Sequence, residues 1–218
     1  VTVLEAMSEI CPNLDKDMAA VLREELTGKG VEFKLNTTVE SIEPNSVKYA
    51  NSEGSGSVDG ELVLVATGRK PNVSDLGLED LGLDFDARGV RVNDKGATNV
   101  PGLWAAGDVT GQAWLAHSAS RMAEVVVNNL NGRVDHMRFD KMPAVVYTSP
   151  EVAVVGLTKE EAEAKGLKVK VGRIPMKINA RYLAENPDEA GLCKVVLEAE
   201  TRRPVSYTHL RAHETMEY

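Results

Sequence analysis

The sequence predicts an α/β fold: a strand–helix–strand unit, a small antiparallel insertion, a helical middle section, and a closing section of strands and short helix. Three observations carry this. Val1-Thr2-Val3-Leu4 is a β-rich apolar run, and Met18, Ala19, Val21, Leu22 and Leu26 recur behind it at helical spacing. Glu61-Leu62-Val63-Leu64-Val65 is a nearly continuous apolar run, the pattern of a strand buried on both faces. From Pro143 onward, short β-rich runs surround one well-capped helix.

Taken in order, Val1 to Leu4 is expected to be a buried strand. Asn13 or Asp15 can cap the helix that follows, and Gly28 and Gly30 end it. Val31 to Leu35 alternates like a strand. Thr37 to Ile42 and Ser46 to Ala50 are further strands joined by a turn at Pro44-Asn45. The polar, Gly/Ser-rich stretch from Asn51 to Gly60 reads as a hairpin tip or loop, and Glu61 to Val65 returns as a strand. This succession is the outline of a nucleotide-binding α/β domain. Pro71 to Gly89 is looped, Leu103 to Ala106 is a short strand, and a helix runs from Leu115 to Leu130. Ala119, Met122, Ala123, Val126 and Val127 form its apolar side. Ala144 to Tyr147 and Val152 to Val155 are strands. Thr158-Lys159-Glu160-Glu161 is a capping box opening a short helix that Gly166 stops. Leu167 to Pro175 and Leu192 to Leu197 are the last strands expected.

Composition narrows the classes. With 43% hydrophobic and 27% charged residues the balance is that of a globular chain, so disorder is not indicated. A net charge of −8 argues against nucleic acid or an anionic membrane as partner, since either needs clustered Lys and Arg. No apolar run approaches the ~20 residues that span a bilayer. The two cysteines, Cys11 and Cys193, are far apart and show neither a disulfide framework nor metal-ligand spacing, so a reducing, cytoplasmic setting is expected. A chain that opens inside an apolar strand without an initiator Met is expected to be a piece of a longer one.

Three features carry chemistry. Glu5 follows the first strand, where an acidic side chain can accept hydrogen bonds from a ribose diol and would repel an additional phosphate; a solvated strand-end Glu is the plain alternative. Ala66-Thr67-Gly68-Arg69-Lys70-Pro71-Asn72 follows the buried run, where a small residue and a glycine let backbone approach a ligand, or simply turn the chain. In Thr98-Asn99-Val100-Pro101-Gly102-Leu103-Trp104-Ala105-Ala106-Gly107-Asp108, the closing Gly-Asp pair offers a carboxylate that can accept from a sugar-alcohol hydroxyl. Alone, that dipeptide is a turn; the whole spaced stretch is harder to obtain by chance.

Here a family resemblance emerges. Thr98, Ala105, Gly107 and Asp108 match the second flavin-binding motif of the pyridine nucleotide–disulfide oxidoreductases, and Ala66-Thr67-Gly68-Arg69 with Pro71-Asn72 matches that family's motif between its nicotinamide and flavin domains. Leu115-Ala116-His117 with Glu124 resembles the segment after the flavin aspartate in the dihydrolipoyl dehydrogenase branch. Tyr147-Thr148-Ser149-Pro150-Glu151, running on to Gly156, resembles the opening of the dimer-interface domain, and Asn179-Ala180-Arg181 and Gly191-Leu192-Cys193-Lys194 fit its next strands. The resemblance implies a partial Rossmann-like NAD domain at 1–70, a partial FAD domain at 71–140 and the start of an α+β dimerisation domain at 141–205. It implies that Glu5 binds the NAD ribose, with NAD favoured over NADP, and that Val39 and Gly68 line the NAD site. Asp108 would hold the flavin ribityl chain and the backbone at Ala116 would approach the flavin. The implied activity passes electrons from dihydrolipoyl groups through a disulfide and FAD to NAD. The implied partners are a second copy of the chain and lipoyl-bearing subunits of 2-oxoacid dehydrogenase or glycine cleavage complexes. Alternatives are another reductase of the family, acting on glutathione or mercuric ion, or a non-catalytic dinucleotide-binding module.

The pattern also breaks. The family's C-x4-C thiol pair is absent, and Cys11 and Cys193 read as small packed residues. His209, His213, Glu214 and Glu217 do not match the spacing of the family's C-terminal His-Glu pair, and His117 reads as structural or cofactor-side. No catalytic residue is assigned. Residues 206–218 lose the family pattern, resemble translated adapter sequence, and are expected to be non-native and to pack on little.

Overall fold

The computed structural model describes residues 1–185 and 191–210. The chain forms two compact units, Val1–Val65 with Pro143–Tyr218, and Ala66–Met142.

In the first unit, β1 (Thr2–Leu4) pairs in parallel with β2 (Glu32–Lys34), and α1 (Lys16–Gly28) joins them. Of the two candidate caps, Asp15 is the one used: its carboxylate accepts from the Asp17 amide at 3.1 Å. β1 is half-buried rather than buried. β3 (Thr38–Glu43), β4 (Ser46–Asn51) and β5 (Gly54–Asp59) form an antiparallel meander. β5 corrects the expected loop. The Asn51 side chain accepts from the Glu53 amide and closes the turn. Gly56 then passes beneath the Tyr49 ring, where a Cβ would come within 2.7 Å of it. The glycines that read as a loop are what let this strand approach the tyrosine.

The apolar run after β5 is a second correction. Leu62 and Leu64 are 90% and 85% exposed, and Glu61 to Val65 forms no strand. A strand needs a neighbour to complete its ladder, and among the described residues β1 and β2 form a two-stranded sheet without a third member.

The second unit holds the two-residue hairpin strands β6 (Phe85–Asp86) and β7 (Gly89–Val90) and the helix α2 (Ala116–Leu130). Leu78, Leu83 and Val90 are its small core, packed on by Phe85, Val100, Leu103 and Val109. The strand expected at Leu103 to Ala106 reduces to a single bridge between Ala97 and Trp104. The buried face of α2 is Ser118, Met122 and Val125; Ala123 and Val127 of the expected face are exposed. Both sides of this helix carry valines and alanines, so hydrophobicity alone does not orient it.

The C-terminal part of the first unit contains β8 (Ala144–Val146), β9 (Val152–Gly156), α3 (Lys159–Ala164), β10 (Val169–Pro175), α4 (Ala180–Glu185), β11 (Leu192–Glu198) and β12 (Pro204–Leu210). The capping box at Thr158 and Glu161 is formed in both directions. The strands make one antiparallel sheet in the order β10-β11-β12-β9-β8. The expectation that residues beyond Val205 pack on little is therefore overturned for 206–210. They are the central strand, and Ser206, Thr208 and Leu210 are 6%, 2% and 0% exposed. The buried positions before Leu210 are hydroxyl residues, so no apolar alternation announces the strand. Residues 211–218, with His213, Glu214 and Glu217, lie outside the described residues.

α1 lies on this sheet. Ile10, Leu14, Met18, Ala19 and Leu22 share one core with Val152 of β9 and Leu210 of β12. At the far end of α1, Lys29 donates to the Ser149 carbonyl at 2.7 Å and to its hydroxyl at 2.9 Å. The first and last sections, read from sequence as separate partial domains, thus share a core.

Cutting the chain after Val205 removes the middle of the sheet and leaves two unpaired edges. In chemical denaturation followed by circular dichroism, residues 1–205 are expected to lose the cooperative transition that residues 1–210 retain. Equal midpoints for the two lengths would show that β12 is dispensable.

Candidate functional site

Glu5 is the first residue beyond β1, at the carboxyl end of a parallel strand, and its position is fixed by backbone on both sides. Its amide donates to the Lys34 carbonyl at 3.0 Å, and its carbonyl accepts from the Thr37 amide at 2.9 Å. Its carboxylate accepts from the Met7 amide at 2.8 Å, which turns it toward the loop after β1. The Met7 carbonyl in turn accepts from the Asn36 amide, with Asn36 at a left-handed φ of 51°. Val39 follows two residues after Thr37 and is exposed on β3. Glu5 and Val39 therefore belong to one hydrogen-bonded stretch. Gly68 falls in the second unit, exposed, with φ 100° and open space where a Cβ would stand.

The loop between Glu5 and α1 is held from inside. Arg23 of α1 donates to both Glu9 oxygens, at 2.8 and 3.1 Å, and holds that carboxyl below the usual range. Ile10 and Leu14 are buried in the α1 core. Burial, with the charges of Glu5 and Glu9 nearby, pushes the Cys11 thiol up, so it stays protonated and a poor nucleophile.

In the second unit, Thr98 is the staple of the Gly107-Asp108 approach. Its hydroxyl donates to the Leu103 carbonyl at 2.9 Å and accepts from the Val100 amide at 3.1 Å, while the Ala105 amide donates to the Gly96 carbonyl. Gly107 is buried at φ 81° and ψ −157°, a conformation essentially reserved for glycine. The Thr110 hydroxyl donates to its carbonyl at 2.8 Å. Asp108 comes next, exposed, and its carboxylate accepts no hydrogen bond among the described residues. Ala116 opens the fifteen-residue α2, whose N-cap, Leu115, supplies no side-chain hydrogen bond. An unpartnered carboxylate and an uncapped helix start suit a hydroxylated, polar ligand.

A cluster that the sequence reading does not single out lies where α1 meets the sheet. Lys194, in the middle of β11, donates to both Asp15 oxygens at 2.6 Å and to Asp17 at 2.9 Å. Lys194 and Asp15 each leave only 4% of their side chains exposed. Arg173 of β10 also pairs with Asp17, and with Lys194 it holds the Asp17 carboxyl below the usual carboxylate range. The available signal was a lysine inside an otherwise apolar strand, Leu192-Cys193-Lys194-Val195-Val196-Leu197.

Cys11 and Cys193 are both free thiols, and no group of three metal-binding side chains occurs among the described residues. Among them, too, no helix is long and apolar enough to cross a membrane. His209 sits within β12, paired in register with Cys193 and Ala153, its ring 5.1 Å from that of Tyr207.

Known proteins resemble this chain in family and in fold. Residues 1–123 match the family described as pyridine nucleotide-disulphide oxidoreductase, and residues 142–211 match the dimerisation domain of the same family. A mitochondrial dihydrolipoyl dehydrogenase of Pisum sativum is 38% identical over 208 residues, covering 92% of this chain and 41% of its own length. A dihydrolipoyl dehydrogenase of Thermus scotoductus is 39% identical over 209 residues, covering 92% and 45%. Among solved structures, LpdA of Mycobacterium tuberculosis superposes with a TM-score of 0.84 at 27% identity, covering 97% of this chain and 46% of its own. The HOCl-induced flavoprotein disulfide reductase RclA of Escherichia coli superposes with 0.81 at 28% identity, covering 98% and 49%. The chain spans less than half the length of each of these proteins.

Gly107 offers a direct check of the second unit. A Cβ there would meet the Ala119 Cβ at 3.4 Å, ordinary contact, so the cost of Gly107→Ala is conformational. A loss of about 1–3 kcal/mol is expected in denaturant unfolding. An unchanged midpoint would mean that the Gly107 backbone relaxes without strain.

Proposed function

The chain belongs to the pyridine nucleotide-disulphide oxidoreductases, and from that premise we propose that it is part of a dihydrolipoyl dehydrogenase-like flavoprotein. Such an enzyme passes electrons from dihydrolipoyl groups through a disulfide and FAD to NAD. The observation that carries the reading is the exposed Asp108 carboxylate, without a hydrogen bond among the described residues and delivered by the glycine-only turn at Gly107, which approaches α2 at Ala119. The 38–39% identity to dihydrolipoyl dehydrogenases over 92% of the chain supports that branch. The similarity of the fold to an E. coli flavoprotein disulfide reductase favours, as second reading, another reductase of the family. Turnover with lipoamide against other disulfides separates the two.

FAD and NAD are the family's cofactors and, when bound, supply the electron transfer. This chain's residues supply orientation. Asp108 would accept from a hydroxyl of the flavin's ribityl chain, and the α2 amide at Ala116 would face the flavin. Glu5 would accept from the NAD ribose diol, Val39 would give an apolar wall, and Gly68 would leave room for close backbone approach. The open space and positive φ at Gly68 are compatible with that role. No C-x4-C pair occurs in the chain, so thiol–disulfide exchange would need thiols supplied from elsewhere in the whole protein.

We assign the closing sheet to a homodimer interface, lipoyl-bearing subunits as the partners of the whole enzyme, and the cytoplasm as its compartment. The match of 142–211 to a dimerisation domain supports the first of these. The exposed Leu62–Val65 run would pair with a strand of the complete dinucleotide-binding sheet.

Two outcomes test the proposal. In the full-length protein, Glu5→Gln should narrow the preference for NAD over NADP, because the carboxylate that repels the additional phosphate is gone; steady-state kcat/KM with each cofactor measures it. Equal use of NAD and NADP by the unaltered enzyme would refute the assignment of Glu5. The 218-residue chain alone, given FAD, NADH and lipoamide, should show no sustained NADH oxidation, and turnover there would refute the need for an external thiol pair.

A further inference from the structure

The cluster at the N-terminus of α1 joins two parts of the chain that the proposed function treats separately. Lys194 and Arg173 come from the closing sheet, while Asp15 ends the loop that begins at Glu5 and Asp17 lies in the first turn of α1. We propose that Lys194 is a positioning residue for the dinucleotide site: by clasping Asp15 from the interface sheet, it fixes the loop that carries Glu5. The proposal rests on the reading of Glu5 as the ribose-binding carboxylate.

The geometry supplies each link. The Lys194 ammonium lies within hydrogen-bond distance of three carboxylate oxygens, two on Asp15 and one on Asp17. Asp15 also caps α1 through the Asp17 amide, so the same carboxylate sets the helix start and receives the lysine. From Asp15 back to Glu5 the loop has little slack. Leu14 and Ile10 are buried, Glu9 is gripped by Arg23, Met7 accepts from Asn36, and the Met7 amide donates to the Glu5 carboxylate. The opposite end of α1 is tied by Lys29 to Ser149, in the loop that joins β8 and β9 of the same sheet. A shift of Lys194 therefore moves the loop anchor relative to β1. The position of the sheet that carries a dimerisation domain then sets the geometry of nucleotide recognition.

The test compares three variants. Lys194→Met leaves Asp15 buried without its cation. Lys194→Arg keeps the charge and a donor fork. Asp15→Asn with Lys194→Met removes both charges and keeps a good helix cap, so it stays folded if the single change does not. Two readouts are taken: amide hydrogen exchange of residues 6–14 in the present chain, and the NAD dissociation constant of the full-length protein alongside its flavin content. Lys194→Met and the double variant should both lose protection in 6–14 while β8 and β9 keep theirs. Both should bind NAD about 10-fold more weakly, within the usual range of coupling between sites, at unchanged flavin content, and Lys194→Arg should restore most of the loss. If the double variant folds and keeps native NAD affinity and loop protection, Lys194 is merely structural and the proposal fails. Glu5→Gln measured in parallel separates the two failures: an unchanged cofactor preference there sinks the reading of Glu5, whatever Lys194 does.

Discussion

Burying an ammonium among strands is costly, because the ion gives up its water, and the packing of α1 rests on how Lys194 is compensated. The charges balance locally, with Lys194 and Arg173 facing Asp15 and Asp17. Three carboxylate oxygens surround the ammonium, and close contacts of this kind offset the desolvation of a buried pair. The two carboxylates also stand between the cations and the positive end of the α1 dipole, an end that would otherwise repel them. Remove the lysine and a buried carboxylate remains at the helix cap; remove Asp15 and the buried ammonium keeps only the half-exposed Asp17. Either loss weakens the seat of α1 on the surface that completes its core.

That surface is unusual in being polar at its centre. Side chains two apart on a strand share a face, so Leu192, Lys194 and Val196 lie together on β11, as do Ser206, Thr208 and Leu210 on β12. Lys194 and Thr208 are direct cross-strand partners. The face toward α1 is thus apolar where Leu210 and Val152 meet Met18 and Leu22, and polar where Thr208 flanks Lys194. One geometry satisfies both halves: sliding α1 along the sheet would bury Asp15 against valine and expose Leu22. An apolar interface alone would permit several registers, whereas the ion pair selects one.

Much of the secondary structure was legible because local signals set it. Asp15, the Thr158–Glu161 box and the glycines after helices act within a few residues, and those elements appear where the sequence puts them. The errors share a different cause. β5 and β12 are strands whose inward faces carry Gly56 in one and Ser206 and Thr208 in the other, and reach an apolar residue only at Val58 and Leu210, too little to show hydrophobic alternation. The run at Leu62 has a strong apolar pattern and no neighbouring strand, so pattern without a partner gives no ladder. The face of α2 was misjudged because packing, not composition, decides which of its valines is covered. At the candidate site, Glu5, Gly107, Asp108 and Ala116 are proposed from family resemblance and from their positions at element ends. The Lys194 cluster was not legible, since its members lie far apart in sequence and only the fold brings them together.

The kinds of group this chain offers also say what it would contribute to recognition. Under the proposed reading, Glu5 and Asp108 are acceptors, suited to ribose and ribityl hydroxyls and unsuited to phosphate. The chain carries −8 net charge, and among the described residues neither carboxylate forms an ion pair with a cation that would invert its preference. Diphosphate binding needs clustered amides at a glycine-rich turn or fixed cations, and no candidate residue here supplies either beyond the start of α2. Carboxylates that accept from a diol gain little from charge attraction. Their value depends on exact distance, since a misplaced acceptor leaves the hydroxyl to water. A site part of this kind adds discrimination more than affinity and is sensitive to small displacements. Under that reading, a buried ion pair added to the apolar packing of Ile10 and Leu14 holds the Glu5 loop more firmly than the packing alone, which would tolerate a slide.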